Sequence, residues 1–168
     1  KDQREYLMDV AREIFDGLVD TYLPADKHPD EWDMNSAGLN FLRQYGVDLR
    51  TLGLNPREMD RGRFVDRLWE HIEPVFQRKE EAIGPELMRR LERYILLQVV
   101  DSQWKDHLLA LDHLKEGIGL RGYGQKDPLV EYKKESYDLF NDLLNRIEEE
   151  TARMIWLVQG PQVERQEE

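Results

Sequence analysis

The chain of 168 residues contains no cysteine. That excludes disulfide staples and thiolate metal sites, and it fits a reducing, cytosolic setting. No apolar run approaches the 18 or more residues that a membrane span needs. The opening, Lys1-Asp2-Gln3-Arg4, lacks the apolar stretch of a signal peptide. It also lacks an initiator Met and runs straight into a helical pattern, which suggests a piece of a longer chain. Basic charge is short as well. Against 35 Asp/Glu stand 24 Lys/Arg, a net charge of −11. A protein that neutralises phosphates needs a basic face, so a general nucleic-acid binder is excluded. Residues 1–83 carry 12 Lys/Arg against 18 Asp/Glu and residues 84–168 carry 12 against 17, so no basic half is hidden in the average. Of the seven prolines, only Pro74 falls inside an apolar helical pattern.

What is present is charge on a helical period. Charged residues make up 35% of the chain and hydrophobic residues 40%. The first figure exceeds the usual quarter and points to long helices with solvated faces. Leu7, Val10, Ile14, Leu18 and Tyr22 recur at spacings of three and four, which predicts a helix from Asp2 to about Tyr22, stopped by Pro24. A loop over residues 23–35 carries Trp32. A short helix follows from about Ser36 to Tyr45 and ends at Gly46, a good C-terminal cap. Val47, Leu49, Leu52 and Leu54 can plug a small core. Asn55-Pro56 reads as an N-cap with Pro in the first turn. The next helix spans about 60–83, with Phe64, Leu68, Trp69, Ile72, Val75 and Phe76 on its apolar face. Pro74 predicts a kink or break within it.

From Pro85 to Glu116 nothing breaks a helix. Those 32 residues span roughly 48 Å at about 1.5 Å each. One apolar seam reads Leu97, Val100, Trp104, Leu108, Leu111, Leu114. Asp127-Pro128 opens a further helix to about Val158, with Phe140, Leu143, Leu144, Ile147, Thr151, Met154 and Ile155 on one face. Two long helices joined by about ten residues pack antiparallel. Leu87, Leu91, Tyr94, Ile95, Val99 and Leu109 lie off the seam and call for another partner, for which the N-terminal helix is the natural choice. The fold class is therefore all-α: a long antiparallel helical hairpin packed with an N-terminal helix, plus a small inserted helical lobe. Trp69 and Trp104 read as core, whereas Trp32 and Trp156 are undecided.

Chemical motifs are sparse. Gly117-Ile118-Gly119-Leu120-Arg121-Gly122 matches G-x-G-x-x-G, but the dinucleotide site needs a strand before it and a helix starting within it. The better reading is that Gly117 ends a helix in a left-handed conformation and the other glycines turn the loop. Gly124 is followed by Gln125, not Lys-Ser/Thr, so there is no P-loop. His107 and His113 are six residues apart and point about 120° away from mutual alignment, so they cannot share a metal without outside ligands. No serine or threonine sits in a nucleophile context, and no carboxylate pair is set up for catalysis. The chain alone reads as no enzyme, with no catalytic, cofactor or metal residues. The hairpin tip stands out. From Lys115 to Lys134 there are five cations and three anions, and Tyr123 lies between two glycines. The candidate contact residues are Arg121, Tyr123, Gln125 and Lys126. Loops are commonly polar for no further reason, so composition alone leaves the tip open between a plain connection and a working surface.

The stretch Leu97-Gln98, Asp101-Ser102, Trp104-Lys105, His107-Leu108, Asp112 and Leu114, followed by Leu120-Arg121-Gly122-Tyr123-Gly124-Gln125-Lys126-Asp127-Pro128 and Glu131-Tyr132-Lys133, resembles SecA, the motor of bacterial preprotein translocation. Gln77-Arg78-Lys79-Glu80-Glu81, Glu86-Leu87-Met88-Arg89 and Tyr22-Leu23-Pro24 resemble it too, and the likeness covers nearly the whole chain. It implies that residues 1–22 end the long helix of the helical scaffold, 23–83 form the helical wing, 84–159 form the two-helix finger and 160–168 are a polar tail. It further implies that the finger inserts at the mouth of the SecY channel, contacts the preprotein through a bulky tip residue matched by Tyr123, and regulates ATP hydrolysis. Arg121, Gln125 and Lys126 neighbour that tip, where cations can also meet anionic lipid. By resemblance the parent uses ATP and magnesium, works with its remaining motor domains, and lies in the cytoplasm against the inner face of the cell membrane. Its Walker A motif and preprotein cross-linking domain are not in this sequence. The competing reading is a stand-alone helical interaction module that docks through the hairpin tip.

Overall fold

The computed structural model describes residues 2–121 and 127–158. Among the described residues five α-helices follow one another: α1 (Gln3–Tyr22), α2 (Met34–Tyr45), α3 (Arg61–Ile83), α4 (Pro85–Arg121) and α5 (Pro128–Leu157). Two short 3-10 turns lie at Pro29–Glu31 and Leu49–Thr51. Among the described residues there is no strand, so the chain is all-α.

Local chemistry sets the helix starts. Asp33 accepts from the Ser36 N–H, and Asp60 accepts from the Arg63 N–H at 3.0 Å. Each satisfies one of the orphan donors of a first turn. Asn55 does not cap α3 as its sequence context suggested. Its side chain accepts from Arg57 N–H in a separate turn, and the helix waits for Asp60. Gly46 ends α2 at φ 69°, and Leu157 lies against it at 3.1 Å from where a Cβ would stand. Pro74 does not break α3, which runs unbroken for 23 residues. A proline inside a helix costs about 3 kcal/mol. Burial of Leu68, Ile72 and Phe76 around it returns roughly 1.5–3 kcal/mol per side chain, so the packing wins.

The chain divides into two compact units. The first holds residues 2–92 and 152–158; the second is Arg93–Thr151. The first unit has an aromatic core. Phe15 of α1 meets Phe41 of α2 edge-on at 5.7 Å and Trp69 of α3 at 5.1 Å. Tyr45 donates its hydroxyl to the Ala11 carbonyl at 2.7 Å, and burial pushes its phenol pKa up. Trp32 packs on Phe64 and donates to the Pro24 carbonyl. Helix α1 and the lobe over 23–83 therefore share one interior. Of the four residues expected to plug it, Val47 and Leu49 close it, and Leu52 and Leu54 are half-buried.

The tryptophans sort differently from the sequence expectation. Trp32 and Trp156 are buried, Trp69 is half-buried, and Trp104 is 46% exposed. The seam on α4 is corrected with it. Leu97, Val100, Trp104 and Leu108 face outward, while Ile95, Val99, His107, Leu114 and Ile118 are buried. Of the residues assigned to a further partner, Ile95 and Val99 line the interior, and Leu87, Tyr94 and Leu109 are exposed. Helix α4 carries apolar residues on two faces, and periodicity alone cannot rank two stripes of similar length.

Candidate functional site: the helical hairpin and its root

Within the second unit α4 and α5 run antiparallel. Gln103 accepts from Arg146 Nε at 3.0 Å, His107 meets the Phe140 ring at 6.1 Å, and Arg121 reaches Glu135. Advancing along α4 retreats along α5. From α5, Leu143 and Thr151 are buried in this unit. His107 is 3% exposed, sits 5.3 Å from the Trp104 ring, and leaves its Nδ1 without a partner.

The end of the hairpin departs from the sequence expectation. Helix α4 does not stop at Glu116, and Gly117 is not a left-handed cap; the helix continues through Gly117 and Gly119 to Arg121. Each glycine costs a helix about 1 kcal/mol. Ile118, buried four residues after Leu114, contributes about 1.5–3 kcal/mol. The Arg121 guanidinium forks onto the Glu135 carboxylate at 2.8 and 3.2 Å, pinning the last turn of α4 to α5. Glu135 also raises the Arg121 pKa, keeping it cationic. Asp127 starts α5, its side chain accepting from Leu129 N–H at 3.0 Å. Of the sequence-derived tip residues, Arg121 lies on this last turn, exposed and ion-paired. Tyr123, Gln125 and Lys126 lie outside the described residues.

The root of the hairpin is a feature that sequence reading missed. Arg89 on α4 is ion-paired with Glu80 of α3 and with Glu92 at 2.9 Å. Arg4 of α1 joins Glu80 at 3.2 Å. Gln3 donates to the Glu92 carboxylate and to the Arg89 carbonyl. Glu92 is 2% exposed, and burial lifts its pKa, opposed by the Gln3 hydrogen bond and the Arg89 charge. On the other leg, Lys79 donates to the Ile155 and Trp156 carbonyls in the last turn of α5. A cation there complements the negative end of the helix dipole. Burial brings the Lys79 pKa down to about 8. Trp156 donates its indole N–H to the Ile72 carbonyl at 3.1 Å. Only the charged run Arg78-Lys79-Glu80-Glu81 hinted at this, and it reads equally well as a solvated face.

The arrangement defines a class: an all-helical chain with an aromatic-cored first unit and an antiparallel helical hairpin in the second. Among the described residues no His/Cys/Asp/Glu group could hold a metal, and no helix is long and apolar enough to cross a membrane. A family model described as the SecA Wing and Scaffold domain matches residues 1–159. The protein translocase subunit SecA of Solibacter usitatus is 43% identical over 161 residues, which cover 95% of this chain and 16% of that protein. The corresponding subunit of Koribacter versatilis is 43% identical over 159 residues, covering 94% and 16%. That of Geobacter sulfurreducens is 50% identical over 144 residues, covering 82% and 16%. The chain belongs to the SecA wing and scaffold family. It spans about a sixth of the length of these curated relatives.

Proposed function

We propose that this chain is the scaffold, wing and finger portion of a SecA motor that drives preproteins through the SecY channel. Residues 1–22 end the scaffold helix, 23–83 are the wing, 84–159 the finger and 160–168 a polar tail. The observation that carries the reading is the hairpin, whose far end is pinned by Arg121 and Glu135, in a chain of this family. Antiparallel helices closed by such a fork make a stiff lever. The tip residues Arg121, Tyr123, Gln125 and Lys126 contact the translocating polypeptide and the channel mouth. An aromatic ring with one polar edge offers apolar area and a hydrogen bond to almost any sequence, which suits a substrate of no fixed sequence. Their cations also meet anionic lipid headgroups, worth about 1 kcal/mol each near the surface.

The chain itself supplies no catalysis. The helical course of Gly117 through Arg121 supports reading the glycine-rich stretch as part of the hairpin rather than as a phosphate cradle. ATP and magnesium belong to the remaining motor domains of the parent, whose hydrolysis the hairpin regulates. The parent works in the cytoplasm, peripherally on the inner face of the cell membrane. The test is a site-specific cross-link from position 123 of the full-length protein, with a stalled preprotein and the channel present. Cross-links to the preprotein are expected. Cross-links to the channel alone reduce the tip to a docking or gating element, and Tyr123→Ala with unchanged transport removes its role.

A further inference from the structure

One short stretch of α3, Ile72 to Glu80, touches every helix that enters or leaves the hairpin root. Phe76 is 1% exposed. The Trp156 ring of α5 lies 5.4 Å from it. The guanidinium groups of Arg4 on α1 and Arg89 on α4 each stand 5.8 Å from its centroid. One turn on, Glu80 pairs with both of those arginines. Beside it, Lys79 holds the last two helical carbonyls before Leu157. Four residues before Phe76, the Ile72 carbonyl takes the Trp156 indole N–H.

The charges balance. Arg4 and Arg89 face Glu80 and Glu92 around one ring. Removing Arg89 leaves Glu92, at 2% exposure, without its ion pair, and that cost favours one arrangement of the four helices over looser ones. A solvated face would show the reverse: long side chains pointing apart, each screened by water. Cation-over-ring contacts add direction, because they hold only while the guanidinium stays over the face.

We infer that this Phe76-centred joint is the positioning element that fixes the roots of both finger helices to α1 and α3, so that displacement of α1 passes to the finger. Phe76, Lys79, Glu80 and Arg89 are positioning residues; none touches substrate. The inference rests on the finger reading above.

The test uses the full-length protein carrying Lys79→Met, with Lys79→Arg as the conservative rescue and Glu80→Gln as a second variant that keeps the side-chain shape and removes the charge. ATP turnover, preprotein transported per ATP and Tm are measured for each. Lys79→Met and Glu80→Gln are expected to keep ATP turnover at or above wild type, because the hairpin that regulates hydrolysis is loosened from α1. Transport per ATP should fall by about 2- to 30-fold, the usual span of coupling effects, with Lys79→Arg restoring it. Spin labels at the exposed positions Glu13 on α1 and Met154 on α5 should report one narrow distance that broadens in Lys79→Met. Transport per ATP unchanged in both variants overturns the joint. So does a fall of ATP turnover and transport together in proportion to Tm, which marks a merely structural role. Measuring Tyr123→Ala alongside separates the two ideas. If it transports normally while Lys79→Met broadens the distance and loses coupling, the tip reading fails and the joint stands.

Discussion

The two units solve the packing problem with different materials. The first is filled by aromatic rings, with Phe15, Phe41, Tyr45, Phe64, Phe76 and Trp156 all at 2% exposure or less. The second is a two-helix arm closed by aliphatic side chains and one histidine. It leaves Leu97 67%, Tyr137 66% and Trp104 46% exposed. A lobe of several helices can bury both sides of each helix, whereas a hairpin of two can bury only one. The lesson is one of burial: the first unit closes around its rings, and the second leaves a face of apolar side chains exposed.

The largest break in that contrast is Trp156→Ala. It removes the ring between Tyr45 and Phe76 and the indole bond to Ile72, and should cost about 3–5 kcal/mol in chemical denaturation. Trp104→Ala on the arm should cost far less, because its ring is half in water. Equal losses would dissolve the distinction.

Next comes His107→Leu, which replaces a buried ring nitrogen lacking a partner with an apolar side chain. We expect the arm to gain about 1 kcal/mol, seen as slower hydrogen exchange in α4 and α5. A loss of protection would mean that Nδ1 has a partner in solution.

The first unit should show its charges through pH. Glu92 has a folded pKa raised above its ordinary 4.5. The folded state therefore holds its proton longer than the unfolded state, and this contribution to stability falls as pH rises from 4.5 through the raised value. Glu92→Gln should flatten that slope. Lys79 acts with the opposite sign, lowered from 10.5 to about 8. The unfolded state holds more protons between those values, so its contribution to stability rises from about pH 8 toward 10.5. Lys79→Met should abolish that rise in a urea titration across pH.

The smallest effect is expected from Arg121→Gln. Its fork to Glu135 is exposed, so the loss should lie near the detection limit of chemical denaturation and shrink in salt. A larger, salt-independent loss would mean that the hairpin end is held far more tightly than its exposure implies.

Much of this was legible in the residues. Helix existence followed from periodicity and punctuation, as with Tyr22 before Pro24, Gly46 after Tyr45 and Pro128 after Asp127. The hairpin followed from two long patterns joined by a short link. The end of α4 was misjudged because Gly117 and Gly119 look like stops, and only the burial of Ile118 shows why the helix runs through them. The joint around Phe76 was invisible because its members, from Gln3 to Trp156, are scattered along the chain and individually resemble surface charges.

What the sequence by itself determined was the all-helical class, the family and the positions of the caps and turns, since these depend on neighbours within a turn or two of chain. Tertiary structure decided which stripe of α4 turned inward and that Trp156 rather than Trp104 was core. It also turned four dispersed charges and one ring into a single joint. Each of those outcomes depends on which distant helix arrives at a face, and helical periodicity offers two faces without saying which one will be met.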